Sequence, residues 1–170
     1  MTEREMLKSK ELEARQVHFY EDIFNQNAAK RERASTGRIV IKGPELPWEK
    51  SRQAILKYYL HPSITDTAVD GWLLFIQDIR SRSGKHRHQG GLAIYVLEGT
   101  GWTTVDGVRH DWEAGDLILL PIKPRGVEHQ HFNAEPGAPC KWLALVRIPW
   151  DDAVGNEMEQ TELAPDFIQG

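Results

Sequence analysis

A chain of 170 residues with 21 basic and 25 acidic side chains carries a formal charge of −4, and this length suits one domain around a single sizeable core. So mild a balance gives no electrostatic footing for nucleic acid or an anionic membrane, and no run reaches the roughly 18 apolar residues of a membrane span. The lone Cys140 makes no internal disulfide, and MTEREMLKSKELEAR is too charged for a secretory signal, so the expected setting is a reducing cytoplasm.

The stretch to about Lys30 has no Pro or Gly, is rich in helix formers, and sets Val17, Tyr20 and Phe24 on one helical face. It predicts one or two amphipathic helices, an amino-terminal extension over 1–37. ASTGR breaks that pattern, and β-branched residues then resume between Gly43, Pro44 and Pro47. From there, short apolar runs separated by turn residues predict an all-β domain over 38–150. The expected strands are 38–42, 55–60, 71–79, 86–97, 101–105, 108–112, 117–121, 127–132 and 141–148.

Asp106-Gly107 between Val105 and Val108 reads as a two-residue hairpin turn. Many short strands without alternating helices favour a sandwich or barrel. LAIYVL, 92–97, is apolar on both faces, which predicts cover from the barrel interior on one side and from the amino-terminal segment or a second subunit on the other. The segment 151–170 holds six acids and no Lys or Arg and reads as a loosely held acidic tail.

Chemistry concentrates in SGKHRHQGGLAIYVLEG, 83–99. Side chains two apart on a strand share a face, so His86 and His88 would both point into the barrel. Two neutral imidazoles there make a poor core and half of a metal site. A second run, PRGVEHQHFN at 124–133, adds His129.

Together these runs resemble the two motifs of the cupin superfamily. The first motif has His-x-His, three or four residues, Glu, six residues and Gly; the second has Pro-x-Gly, two residues, His, three residues and Asn. His86, His88 and Gly99 fill the first, and Pro124, Gly126, His129 and Asn133 fill the second. Two departures stand out: Leu92 occupies the position of the Glu, and eight residues rather than five separate Gly115 from Pro124.

The resemblance implies a cupin jelly-roll β-barrel that holds a divalent metal ion through His86, His88 and His129. Cupins with three histidines and no Glu include gentisate-type iron dioxygenases. That implies Fe(II), with Mn, Ni or Zn as alternatives, and a small aromatic or dicarbonyl substrate. An isomerase, lyase or decarboxylase using the same ion as a Lewis acid is an alternative reading, as is a non-catalytic module that binds a small ligand.

Among the remaining polar residues, His131 shares parity with His129 and is a candidate fourth ligand or proton shuttle, against a satisfied interior histidine. Gln77 is a candidate pocket residue or a sheet-edge one, and Arg147 a candidate clamp on a substrate carboxylate or a solvent-facing residue. Gln89 replaces the missing Glu only if Gly90-Gly91 bulges. Asn133 suits a turn-bonding role, while His18, His61 and His110 read as surface residues. Most of the six tryptophans are expected in the core or a subunit contact, and the doubly apolar strand suits a homodimer.

Overall fold

The computed structural model describes residues 18–167. The amino-terminal expectation for 1–17, including Val17, lies outside the described residues. The chain divides into two compact units, one comprising residues up to Ile39 together with Asp66–Val69 and the other Val40–Thr65 with residues from Asp70 onward.

In the first unit, α1 (Phe19–Thr36) runs six residues beyond Lys30, with Glu21 and Asp22 in its first turn and Arg33 in its last, the polarity that complements the helix dipole. It ends at Gly37, whose amide donates to the Arg33 carbonyl. None of its residues is buried. Arg38 then bridges Thr67 in parallel and pairs with Asp66 at 2.9 Å. The strand expected at 38–42 therefore does not form; a single bridge at Arg38 and a 3-10 turn over Gly43–Glu45 stand in its place, Pro44 supplying no amide for a ladder.

The second unit contains β1 (Glu49–Lys50), β2 (Ile55–Leu60), β3 (Trp72–Asp78), β4 (Lys85–His88), β5 (Leu92–Glu98), β6 (Thr100–Val105), β7 (Val108–Glu113), β8 (Leu117–Leu120), β9 (Val127–Asn133), β10 (Lys141–Arg147), α2 (Ile148–Ala153) and β11 (Glu159–Glu162). The strands form two antiparallel sheets, ordered β1-β2-β3-β10-β5-β8 and β11-β4-β9-β6-β7. Long-range pairings such as β3 with β10 and β4 with β9 give the all-β jelly roll expected from the sequence.

Alternation sets the interior. Leu92, Ile94 and Val96 of β5, Ile118 and Leu120 of β8, Trp142 and Ala144 of β10 and Phe75 of β3 are buried in one core cluster. Tyr95, Leu97, Leu117 and Leu119 alternate with them and are exposed on the other face. Of the six tryptophans only Trp112 and Trp142 are buried in the core; Trp48, Trp72 and Trp150 are exposed on the single chain. Each of the exposed three sits near a strand end or in α2, where a large ring has no opposing sheet to pack on.

The β6–β7 hairpin turns through Asp106 at φ 49° and Gly107 at φ 82°, the positive angles a two-residue turn needs. A second such pair splits the strand expected over 86–97. Gly90 at φ 87° and Gly91 at φ 76° turn the chain out of the five-stranded sheet, so 85–88 and 92–98 become separate strands in different sheets.

The carboxyl-terminal segment also departs from expectation. β11 pairs with β4, Glu159 opposite Arg87 and Gln160 opposite His86, and Glu162 bonds Arg82 at 2.7 Å and Lys85 at 2.5 Å. Glu162 is therefore the partner of two bases, Arg82 and Lys85, a pairing that local composition does not reveal.

Candidate metal centre

The two motifs meet because β4 and β9 are neighbours: His86 lies directly opposite His129, and His88 opposite Val127. The side chains of His86, His88 and His129 are buried, and one ligand-capable nitrogen from each lies within 4.8 Å of the others. Ring centroids are 4.1 Å apart for His86 and His129, 4.8 Å for His88 and His129, and 5.5 Å for the stacked His86 and His88.

An ion bonded at about 2.1 Å in tetrahedral geometry holds two nitrogens about 3.4 Å apart, so the widest pair, at up to 4.8 Å, closes by about 1.4 Å through side-chain rotation. His86 Nδ1 and His129 Nε2 are buried without a hydrogen-bond partner. Orphaned imidazole nitrogens inside a core are costly unless something accepts their lone pairs. The donor set and its orphaned atoms fit a divalent ion. Among the described residues it is the one such cluster of His, Cys, Asp or Glu.

The Gly90 amide donates to His88 Nδ1 at 3.0 Å. The neutral ring therefore carries its proton on Nε2, and ligation through Nε2 requires the other tautomer and gives up this bond. All of these rings are held neutral. Burial pushes His86 down to about 3, with the nearby His88 and His131 rings adding to the effect. Burial likewise lowers His129 well below the usual imidazole range, reinforced by His86 and His88. His88 is lowered less simply, since burial is opposed by Asp151 and by a bond to Asn156. Neutral imidazole is the form that binds a metal, and three neutral ligands leave the ion its full charge.

Leu92 is buried in the core on β5, in the opposite sheet, so the position of the missing Glu is apolar. Gln89 does not replace it: its Oε1 accepts from the Glu157 backbone N–H, and its backbone N–H donates to Asn156 Oδ1. His131 stands beside the triad, its ring 5.4 Å from His129. Its Nδ1 bonds Thr103 Oγ1 at 2.8 Å, that oxygen accepts from Trp112 Nε1 at 2.9 Å, and His131 Nε2 has no partner.

Gln77 is fully buried, its Oε1 accepting from Gln53 Nε2 at 3.3 Å while its own Nε2 is unpartnered. Arg147 is not brought to the site. Its guanidinium donates to the Gly71 carbonyl at 2.6 Å and lies over the Trp72 ring, because as the last residue of β10 it faces outward. Asn133 is structural as expected: its Nδ2 donates to the carbonyls of Ile79 and Ala138, and its Oδ1 accepts from the Glu135 amide.

Sequence reasoning missed Thr103, Trp142 and the Asp151–Asn156 segment beside His88. Trp142 carried a signal, since inward parity on WLALV places an indole N–H where it needs an acceptor. Nothing local marks Asn156.

A closed pair of sheets holding three buried, neutral histidines defines a metal-binding jelly-roll barrel. Residues 75–146 match the cupin domain family, and they form a cupin domain. A curated gentisate 1,2-dioxygenase from Ralstonia sp is 37% identical over 65 residues, which are 38% of this chain and 17% of that enzyme. Among solved structures, the salicylate 1,2-dioxygenase of Pseudoaminobacter salicylatoxidans, seen as adducts with gentisate, matches with TM-score 0.53 at 14% identity, over 80% of this chain and 35% of that one. The polyketide cyclase RemF from Streptomyces resistomycificus matches with TM-score 0.52 at 19% identity, over 78% and 87% respectively. These likenesses show the fold.

Proposed function

We propose that this chain is an Fe(II)-dependent dioxygenase acting on a small aromatic or dicarbonyl compound. The observation that carries the reading is a three-histidine centre whose fourth protein position is the apolar Leu92, together with the 37% identity to a gentisate 1,2-dioxygenase segment. Open coordination is the mark of a catalytic rather than a structural site. A bound ferrous ion would supply Lewis acidity and one-electron chemistry towards dioxygen.

The chain's own residues would do the rest. His86, His88 and His129 hold the ion. Leu92, Ile94 and the other core side chains exclude water. His131, tied at Nδ1 to Thr103, presents Nε2 to hold or pass a proton, and Gln77 presents an amide donor. The same reading makes the partners a small-molecule substrate and a second copy of this chain in a reducing cytoplasm; the outward apolar residues Tyr95, Leu97, Leu117 and Leu119 support the homodimer.

Elemental analysis of anaerobically purified protein, followed by an oxygen-electrode screen of dihydroxylated aromatic acids and β-dicarbonyls, tests the reading. Iron-dependent oxygen uptake in step with substrate loss is expected. Conversion without oxygen uptake would overturn it in favour of an isomerase, lyase or decarboxylase, and stoichiometric binding without turnover in favour of a binding module.

A further inference from the structure

Among the described residues, five buried side-chain nitrogens lack a hydrogen-bond partner: Gln77 Nε2, His86 Nδ1, His129 Nε2, His131 Nε2 and Trp142 Nε1. The metal-holding triad accounts for two of them. The rest are neighbours. Gln77 lies directly opposite Trp142 on adjacent strands, the Trp142 ring sits 4.9 Å from that of His131, and His131 abuts His129. Gln77 and Trp142 belong to the sheet that faces the histidines across the barrel, and both are fully buried.

An indole N–H and a side-chain amide N–H only donate, and neither Trp142 Nε1 nor Gln77 Nε2 has a partner, so both atoms ask for an acceptor. A core built for stability alone would place Phe and Leu at these positions, because an unsatisfied donor costs free energy that an apolar side chain does not. Nor is any Lys, Arg, Asp or Glu buried among the described residues; the interior polar groups are amides, hydroxyls and neutral imidazoles. Such a wall recognises oxygen without supplying a counter-charge, and a buried carboxylate beyond the ion's reach would go unneutralised.

We infer that Gln77 and Trp142 form the substrate-recognising wall of the metal centre, donating Nε2–H and Nε1–H to an uncharged acceptor oxygen at the far end of an oxygen-chelating substrate. This rests on the metal-site reading above and narrows it. The only anionic part of the substrate is the part that the ion itself neutralises.

The test uses full-length protein loaded with Zn(II), which does not turn over. It is titrated calorimetrically with 4-nitrocatechol and with 3,4-dihydroxybenzoate, the same catechol with a carboxylate in place of the nitro group. Trp142→Phe and Gln77→Leu should each weaken 4-nitrocatechol binding about 5-fold, the loss of one buried hydrogen bond. Metal content should be unchanged, and the ligand-free unfolding midpoint of Gln77→Leu equal or higher. The wild-type preference for the nitro compound should shrink in both variants.

Wild-type affinity in both variants at equal metal content would overturn the inference alone and leave an ordered water as the acceptor. Loss of metal or of the folded state in a variant would mark that residue as structural and overturn its assignment. No binding of either catechol to fully loaded wild-type protein would remove the inference together with the reading beneath it.

Discussion

Acid should destabilise the metal-free protein while its carboxylates are still largely ionised. His86, His129 and His131 are buried and neutral, with His86 held at about 3 and the other two well below the imidazole range. In the unfolded chain the same rings titrate near about 6.5. The folded-state values are lowered, so the unfolded chain binds more protons below that pH. The stability these rings contribute is fully present above about pH 6.5 and is lost as pH falls. Moving from about pH 7.5 to about pH 5 protonates each unfolded ring almost completely while the folded rings stay neutral, a loss of about 2 kcal/mol per histidine. Three such rings give about 6 kcal/mol, against a typical total stability of roughly 5–15 kcal/mol. Urea unfolding of metal-free protein at the two pH values measures the difference, provided the slope is unchanged. A loss below about 2 kcal/mol would mean that at least two of these rings are solvated or already charged in the folded state.

Two substitutions probe the centre from other directions. His129→Ala removes one of the three candidate ligands and should abolish metal retention in elemental analysis while circular dichroism stays that of the wild type; full occupancy would refute the ligand assignment. Thr103→Val keeps the volume but leaves Trp112 Nε1 and His131 Nδ1 without the shared hydroxyl. It should cost about 2 kcal/mol in denaturant unfolding, since two buried groups lose their partner at once, and a cost under about 0.5 kcal/mol would refute the bridging role.

Much of the barrel was legible because its causes are local. Strand parity put His86 beside His88 and His129 beside His131, and Asp106-Gly107 announced its own turn. The three-histidine set could be named because the two motifs supplied a spacing. The strand expected over 86–97 was one strand too few, since Gly90-Gly91 reads equally well as a bulge or as a passage between sheets; only the neighbouring strands decide which. Arg147 and Gln77 were indistinguishable as inward or outward candidates. The structure separated them by position, one at the end of β10 against a carbonyl, the other in the interior opposite Trp142.

What the residues alone determined was alternation, turn chemistry and the kind of ligand, because each depends on neighbours within a few positions. What only tertiary structure decided was convergence. The acidic 159–162 segment became a strand on β4, Asn156 reached His88, and Trp142 crossed to His131, through contacts between residues far apart in the chain. A side chain's own sequence carries its chemistry, but its unmet hydrogen bonds become visible only once burial has removed the water that would otherwise satisfy them.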